Sequence, residues 1–472
     1  MAESRPVYVT LADEIAAGIR GGTYRSGERL PSVRALARAR AVSVASALAA
    51  YRYLEERGLA EARPRSGYYV HAARAPEAEA PRSPARRAQP RPVTGQELAL
   101  SLVKAASNPA VVQLGAAVPD PSFLPTHAVG QVMAQVVRSQ RSRIAGYEMS
   151  PGAPELRRQI ARRMIEAGCM LSPDELVVTS GCQEALTLAL RAVTEPGDIV
   201  ALESPTFYGL LQVVDALGLQ ALEIPSSADT GMSLEALELA LDRWPVKACV
   251  TVPNHSNPLG FRMPDDAKRR MLRLLARYRV PVIEDDVYGD LGFDSPRPLM
   301  LMAAGEGAEI LHCSSVSKTL SPGLRVGWIA PGRHQARVEY LKYVSDIATG
   351  TADQITVAEF LASGRYDRHM RTVRRQYGDA VARMREDVVR LFPAGTRISR
   401  PTGGFVLWIE LPEAIDTVDI AYRALEADIS IAPGPLFSAS GKYRNCMRLS
   451  CARPRDARLQ DALVRLGAMV AG

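Results

Sequence analysis

The sequence contains no uninterrupted apolar run of about 18 residues, which excludes a membrane-spanning helix. Met1 to Arg20 lacks a basic start followed by an apolar core, so no signal peptide is expected. Cysteine is scarce, with six in 472 residues and no tight pairing pattern, as in a chain kept in a reducing cytosol. The closest two, Cys446 and Cys451, have no second pair or histidine cluster beside them, so no metal site is expected. Lysine is absent from Met1 to Leu98, a stretch with 16 Arg against 10 Asp and Glu. The remainder holds 42 basic and 41 acidic residues. An arginine-only basic end on a neutral body points to a polyanion-binding module joined to something else.

The first segment gives that module a form. Leu11, Ile15 and Ile19 mark one helical face. Gly27 to Ser32 is a turn, and Ser32 is placed to cap a helix over Val33 to Arg40. Ser43 caps a second helix running to about Arg57, with Leu48, Tyr51 and Leu54 on its inner side and Gly58 as its stop. Leu59–Arg63 and Tyr68–Val70 read as two short strands about the Pro64–Gly67 turn. This pattern is a winged helix-turn-helix. From Ala72 to about Val93 prolines and arginines replace any apolar period, as in a semi-extended linker.

The body alternates strands with helices. Leu176–Thr179, Asp198–Ala201, Ala221–Ile224, Ala248–Val252, Val280–Glu284, Ile310–Cys313 and Val326–Ile329 are apolar strand runs. Helices are expected from Gln183, near Leu210, from Leu234 and from Asp265, and a stripe of Val129, Val132, Met133, Val136 and Val137 marks an earlier one. Such alternation implies a mostly parallel buried sheet, whose ligands sit at the carboxyl ends of the strands.

Polar clusters fall at those ends. Ser180-Gly-Cys-Gln183 lies between strand and helix, where backbone N–H groups can hold a phosphate. Phe207 follows the next strand and is placed to stack on a planar ring or to join the core. Asn257 follows Ala248–Val252 in a turn. Glu284-Asp285-Asp286-Val-Tyr288 ends another strand, and an aspartate there can keep a pyridinium nitrogen protonated. Ser314, Ser315 and Ser317 precede Lys318, and Arg325 follows the Ser321-Pro-Gly turn. A lysine between a strand end and a turn is either a surface cation or a nucleophile, the latter if its ammonium is kept partly deprotonated. Hydroxyls and an arginine beside it suit a phosphate, so the set describes a Schiff-base lysine with a phosphate cup, as pyridoxal phosphate requires.

Two resemblances attach to these residues. Gly27…Arg29-Leu-Pro-Ser-Val-Arg34, Leu36-Ala37, Val42-Ser43, Ala50-Tyr51…Leu54, Gly58 and Ser66–Val70 resemble the GntR family of bacterial repressors. The resemblance implies DNA binding, with Ser43 to Ala47 (Ser43, Val44 and Ser46 among them) in the major groove, Arg34 at phosphate or base, and Arg65 in the wing. Val44 stands where the family usually has arginine. From about Leu114 onward the chain resembles fold-type I aminotransferases. That implies Lys318 as the covalent anchor of pyridoxal phosphate and Asp285 at its ring nitrogen. Asn257 and Tyr288 would address its 3-hydroxyl, and Phe207 its ring face. Gly181, Cys182, Ser315, Ser317 and Arg325 would take its phosphate, Tyr147 the phosphate of a neighbouring subunit, and Arg448 a substrate carboxylate.

The order of the two halves resembles the MocR subfamily of GntR regulators. This implies a winged helix-turn-helix over residues 1–72, a linker over 73–98 and an α/β aminotransferase-like domain over 99–472, its large part about 145–347. It also implies a domain-swapped homodimer, double-stranded DNA with paired half-sites as one partner, a small amino compound as effector, and a cytoplasmic, nucleoid-associated location. Two functions remain open: a regulator that senses pyridoxal phosphate or its adduct, and an active aminotransferase with a DNA-binding head.

Overall fold

The computed structural model describes residues 6–20, 23–24, 27–57, 59–63, 66–70, 78–83, 88–94, 108–294 and 296–472. The chain divides into two compact units, Met1–Glu77 and Ala78–Gly472.

In the first unit α1 (Val7–Arg20), α2 (Val33–Ala39) and α3 (Val44–Glu56) precede the antiparallel pair β1 (Ala60–Arg63) and β2 (Gly67–Val70). Both expected caps form: the Ser32 hydroxyl accepts from the Ala35 amide at 3.2 Å, and the Ser43 hydroxyl from the Ser46 amide at 3.0 Å. Each satisfies an otherwise orphaned donor, a contribution of about 1 kcal/mol. The inner face of α3 is Ala47, Ala50, Tyr51 and Leu54, while Leu48 is half-buried. The small alanines let α1 approach α3 closely, which shifts the stripe away from Leu48. The Tyr51 ring stacks on Tyr68 at 4.6 Å and its hydroxyl donates to the Pro31 carbonyl, tying the turn, α3 and the wing strand together.

The second unit carries β3 (Pro90–Arg91), β4 (Val112–Gln113), β5 (Val177–Thr179), α4 (Cys182–Val193), β6 (Ile199–Ser204), β7 (Gln220–Ser227) and β8 (Gly231–Met232). Then come β9 (Val246–Thr251), α5 (Asp265–Tyr278), β10 (Val282–Asp285), β11 (Ile310–Ser315), β12 (Gly327–Ala330) and α6 (Gln335–Asp346). Last are β13 (Arg397–Ile398), β14 (Val406–Glu410), β15 (Ile429–Ser430), β16 (Ala432–Pro433) and β17 (Cys446–Ser450). Among the described residues the main sheet runs β3-β7-β6-β9-β10-β11-β12-β5, with β8 on β7. Its centre, β7 to β11, is parallel, and β12 runs antiparallel to both neighbours. Strands β6 and β10 are buried at every position, as a sheet covered on both faces requires. A separate sheet, β13-β14-β17-β16, belongs to the smaller part of the body. Val129, Val132 and Val136 turn inward as expected, but Val137 is 49 % exposed. It lies one residue beyond Val136, about 100° round the helix from the buried stripe.

The linker expected over 73–98 is not a free tether along its described residues. The Glu79 carbonyl accepts from the Ile398 amide at 3.0 Å, and its carboxylate pairs with Arg397 at 2.7 Å. The Arg82 amide donates to Glu410 at 2.6 Å. Further on, β3 pairs antiparallel with β7 at Leu222 and Ala221, Val93 is buried, and the Thr94 amide donates to the Ala439 carbonyl at 3.3 Å. Residues 78–83 thus touch the small sheet, and residues 88–94 pair with the main sheet. Proline lacks a donor and is tolerated on an edge strand, which is where Pro90 lies.

Candidate functional site

The carboxyl ends of the parallel strands converge on a cleft of about 930 Å³. Strand alternation sorts the three acids at the end of β10. Glu284 turns away, accepting from the Leu301 amide and pairing with His312 at 3.0 Å. Asp286 also turns away, to Arg297. Asp285 alone lines the cleft, and it is 8 % exposed. It accepts from the Val287 amide at 3.3 Å and from the Cys182 thiol at 3.5 Å. Burial pushes its carboxyl up to about 6, against the pull of those donors.

Lys318 stands in the same cleft, its Nζ donating to the Ala117 carbonyl at 2.9 Å. Burial, together with the Arg448 and Arg325 charges, lowers its ammonium to about 8. A lysine so shifted holds a usable fraction of free amine near neutrality.

The anion end lies at the start of α4. Gly181 caps that helix at φ +91°, and a Cβ there would strike the Arg325 guanidinium. Glycine therefore serves both the left-handed backbone and the close approach. Arg325 donates to the Ser180 carbonyl at 2.8 Å and to the Pro322 carbonyl at 3.4 Å, and has no carboxylate partner among the described residues. Ser315 and Ser317 line the cleft beside it. An unpaired arginine, two hydroxyls and a helix N-terminus together form an anion site.

On the other side Arg448, from β17, has no exposed surface. Its Nη1 donates to Asn257 Oδ1 at 3.0 Å and its Nη2 to the Gly115 carbonyl, while Nε is buried without a partner. The guanidinium lies 5.2 Å from the Phe437 ring centre and 5.9 Å from that of Tyr208. Tyr288 is buried next to Asn257, and burial raises its phenol. Phe207 lines the cleft.

Of the expected residues, Gly181, Cys182, Phe207, Asn257, Asp285, Tyr288, Ser315, Ser317, Lys318 and Arg325 meet at this cleft or its anion end. Arg448 joins them through Asn257. Tyr147 does not line it and is 75 % exposed. Sequence reasoning missed Tyr208, which also lines the cleft, and the Ala117 and Gly115 carbonyls. Tyr208 had a signal, an aromatic pair with Phe207 at a strand end, whereas backbone carbonyls carry none.

In the head unit, Arg34, Ser43 and Val44 are exposed and Ser46 is half-buried. Arg34 has no acidic partner among the described residues. Ala47 has no exposed surface and faces the core, so the expected groove face ends before it. Arg65 lies outside the described residues. No group of three or more His, Cys, Asp or Glu among the described residues suits a metal ion, and no described helix is long and apolar enough to cross a membrane.

Residues 111–466 match the family model for aminotransferase class I and II, and residues 7–70 that for the gntR family of bacterial regulatory proteins. The HTH-type transcriptional regulator YjiR of Escherichia coli is 41 % identical over 98 % of both chains. YdcR of the same organism, also named an HTH-type transcriptional regulator, is 38 % identical over 98 % of each chain. This chain belongs to the MocR-type GntR regulators. The α-aminoadipate aminotransferase LysN of Thermus thermophilus, solved with N-(5'-phosphopyridoxyl)-L-leucine, superposes with a TM-score of 0.74 at 28 % identity. That match covers 80 % of this chain and 97 % of LysN. The cofactor of this MocR-type regulator is pyridoxal phosphate, and the lone cleft carboxylate, the shifted lysine and the unpaired Arg325 fit it. The head binds DNA, and the protein is a transcriptional regulator.

Proposed function

We propose that the cleft senses a small amino compound bearing a carboxylate, and that its occupancy changes how a homodimer engages DNA. The observation that carries this is Arg448: a guanidinium fully out of solvent, with one donor unpartnered, held beside Asn257 and near Lys318. A buried donor without a partner is costly, and a ligand carboxylate offsets that cost. In this reading Lys318 anchors the cofactor, and Asp285 holds its ring nitrogen in the protonated form. Asn257 and Tyr288 meet its 3-hydroxyl, Phe207 covers its face, and Gly181, Cys182, Ser315, Ser317 and Arg325 take its phosphate. Bound there, the cofactor supplies an electron sink next to an amine. Ala117, Val118 and Leu186 make the neighbouring lining apolar.

Exposed Tyr147, Met149 and Val118 support a partner subunit, to whose phosphate end Tyr147 would reach. In the head, Ser43, Val44 and Ser46 face the major groove, with Arg34 at phosphate or base and Arg65 in the wing. Paired heads would read paired half-sites.

The test titrates the protein's own upstream DNA with and without candidate amino acids, for wild type and Arg448→Ala. The variant should keep cofactor and DNA binding and lose the effector response. A response that survives in Arg448→Ala removes the carboxylate anchor and this mechanism with it. Retention of both Lys318 and Asp285 favours a second reading, in which the cleft also turns over amino and keto acids. Steady-state transamination with the same compounds separates the two.

A further inference from the structure

The pole opposite the cofactor cleft is also cationic. Where the central strands begin, an open cleft of about 1170 Å³ is lined by Arg191, Lys247, Arg279, Arg333 and Arg337. Glu195, Asp198 and Glu309 are its carboxylates. Glu309 is already engaged, by Arg333 at 2.5 Å and His334 at 2.6 Å. Asp198 accepts from the Glu195 amide at 2.8 Å. Among the described residues Arg191 donates to the Ser345 hydroxyl, at 3.0 Å, and to no carboxylate. Lys247, Arg279 and Arg337 are exposed and have no acidic partner among the described residues.

Local structure accounts for only part of this cluster. Arg191 lies in the last turn of α4 and Arg279 directly follows α5, so both complement a helix C-terminus. Lys247 is on β9, outside any helix. Arg337 sits in the first turn of α6, where the macrodipole is positive and the turn itself carries no acid. An anion bound beside it would complement that end of the helix.

The two poles differ in kind. At the cofactor end one arginine, hydroxyls and a glycine turn form a pocket for a single anion. Here five long side chains ring an open surface on a body whose overall charge is near neutral, which suits an extended polyanion that releases counterions. We propose that this cleft holds the phosphate backbone of double-stranded DNA flanking the sequence that the head reads. The inference rests on the regulatory reading above.

The test uses full-length holoprotein and two duplexes from its own upstream region. One spans only the two half-sites, and the other is extended on both sides. The variant is Lys247→Gln/Arg279→Gln/Arg337→Gln, with the charge-keeping Lys247→Arg/Arg279→Lys/Arg337→Lys as companion. Visible absorbance of the bound cofactor and the melting temperature report that both stay folded. On the extended duplex, the slope of log K against log salt should fall in magnitude by about 0.9 for each phosphate that the variant no longer neutralises, about 2.7 for three. The short duplex should show no change, and the companion should behave as wild type. Equal reductions on both duplexes, or an unchanged slope on the extended one, would overturn the proposal. Inorganic phosphate that binds the cleft without affecting the extended duplex would make it a small-anion site and equally overturn it. Failure of wild type to bind either duplex would sink the regulatory reading instead.

Discussion

Asp285→Asn should have two opposite effects, and their joint appearance is diagnostic. Without cofactor the carboxylate is buried and accepts from the Val287 amide and the Cys182 thiol. Burial raises it from 3.8 to about 6. An acid whose folded value exceeds its unfolded one favours folding below the unfolded value and loses that stability as pH rises through the folded one. From below about pH 4 to above about pH 6 the free protein therefore loses about 3 kcal/mol in all through this group, at 1.36 kcal/mol for each pKa unit between the unfolded and folded values. Asparagine carries no such burden, so cofactor-free Asp285→Asn should melt higher than wild type at pH 7 and about equally at pH 4. With pyridoxal phosphate the order reverses. The carboxylate then gains a charge-assisted bond to the ring nitrogen, an interaction of about 1.5–3 kcal/mol that asparagine cannot supply. Cofactor dissociation should rise by about 10- to 200-fold, read by absorbance titration of the stripped protein. Wild-type affinity should also fall as pH drops below about 6, because Asp285 is then protonated, and the variant should not show this fall. If affinity and melting temperature are both unchanged, Asp285 is not the ring-nitrogen partner.

Borohydride should fix the cofactor to Lys318, and Lys318→Ala should abolish the mass shift seen on intact protein; another labelled lysine would reject the anchor. Capture of added pyridoxal phosphate by stripped protein should accelerate as pH rises through about 8, where Lys318 loses its proton. Arg34→Ala should weaken DNA binding by about 1–3 kcal/mol and lower the salt slope by about 1, measured by anisotropy. An unaltered slope would remove Arg34 from the interface. Glu79→Ala with Arg397→Ala should leave cofactor and DNA binding intact while reducing the effector's influence on DNA; an undiminished response would free the 78–94 segment from any role in coupling.

Most of the cofactor cleft was legible because its parts sit where buried parallel strands end. Apolar runs such as Val282–Ile283 are unambiguous, and the polar residues after them must face either the ligand or a counter-charge. The sequence could not separate those fates for Glu284, Asp285 and Asp286. Asp285 emerged from resemblance, and its neighbours proved to belong to His312 and Arg297. Ala47 was misplaced for a related reason: alanine is small enough to be read on either face of α3, and close helix packing decides. Tyr208 was overlooked because its ring serves Arg448, which is 240 residues further along the chain.

The linker was the largest gap, and it changes the argument about coupling. Proline and arginine content reads as an unattached tether, because such a segment has no apolar period of its own. Its attachment comes instead from backbone pairing to β7 and from Glu79, Arg82, Arg397 and Glu410, interactions that composition does not encode. The segment bridges the same two sheets as the cleft does, since Arg448 stands on β17 and Asn257 follows β9. A ligand that draws Arg448 relative to Asn257 would act on the small and main sheets, which also hold residues 78–83 and 88–94. Its effect on DNA is bounded by its differential affinity for the two arrangements, about 1–3 kcal/mol in typical couplings.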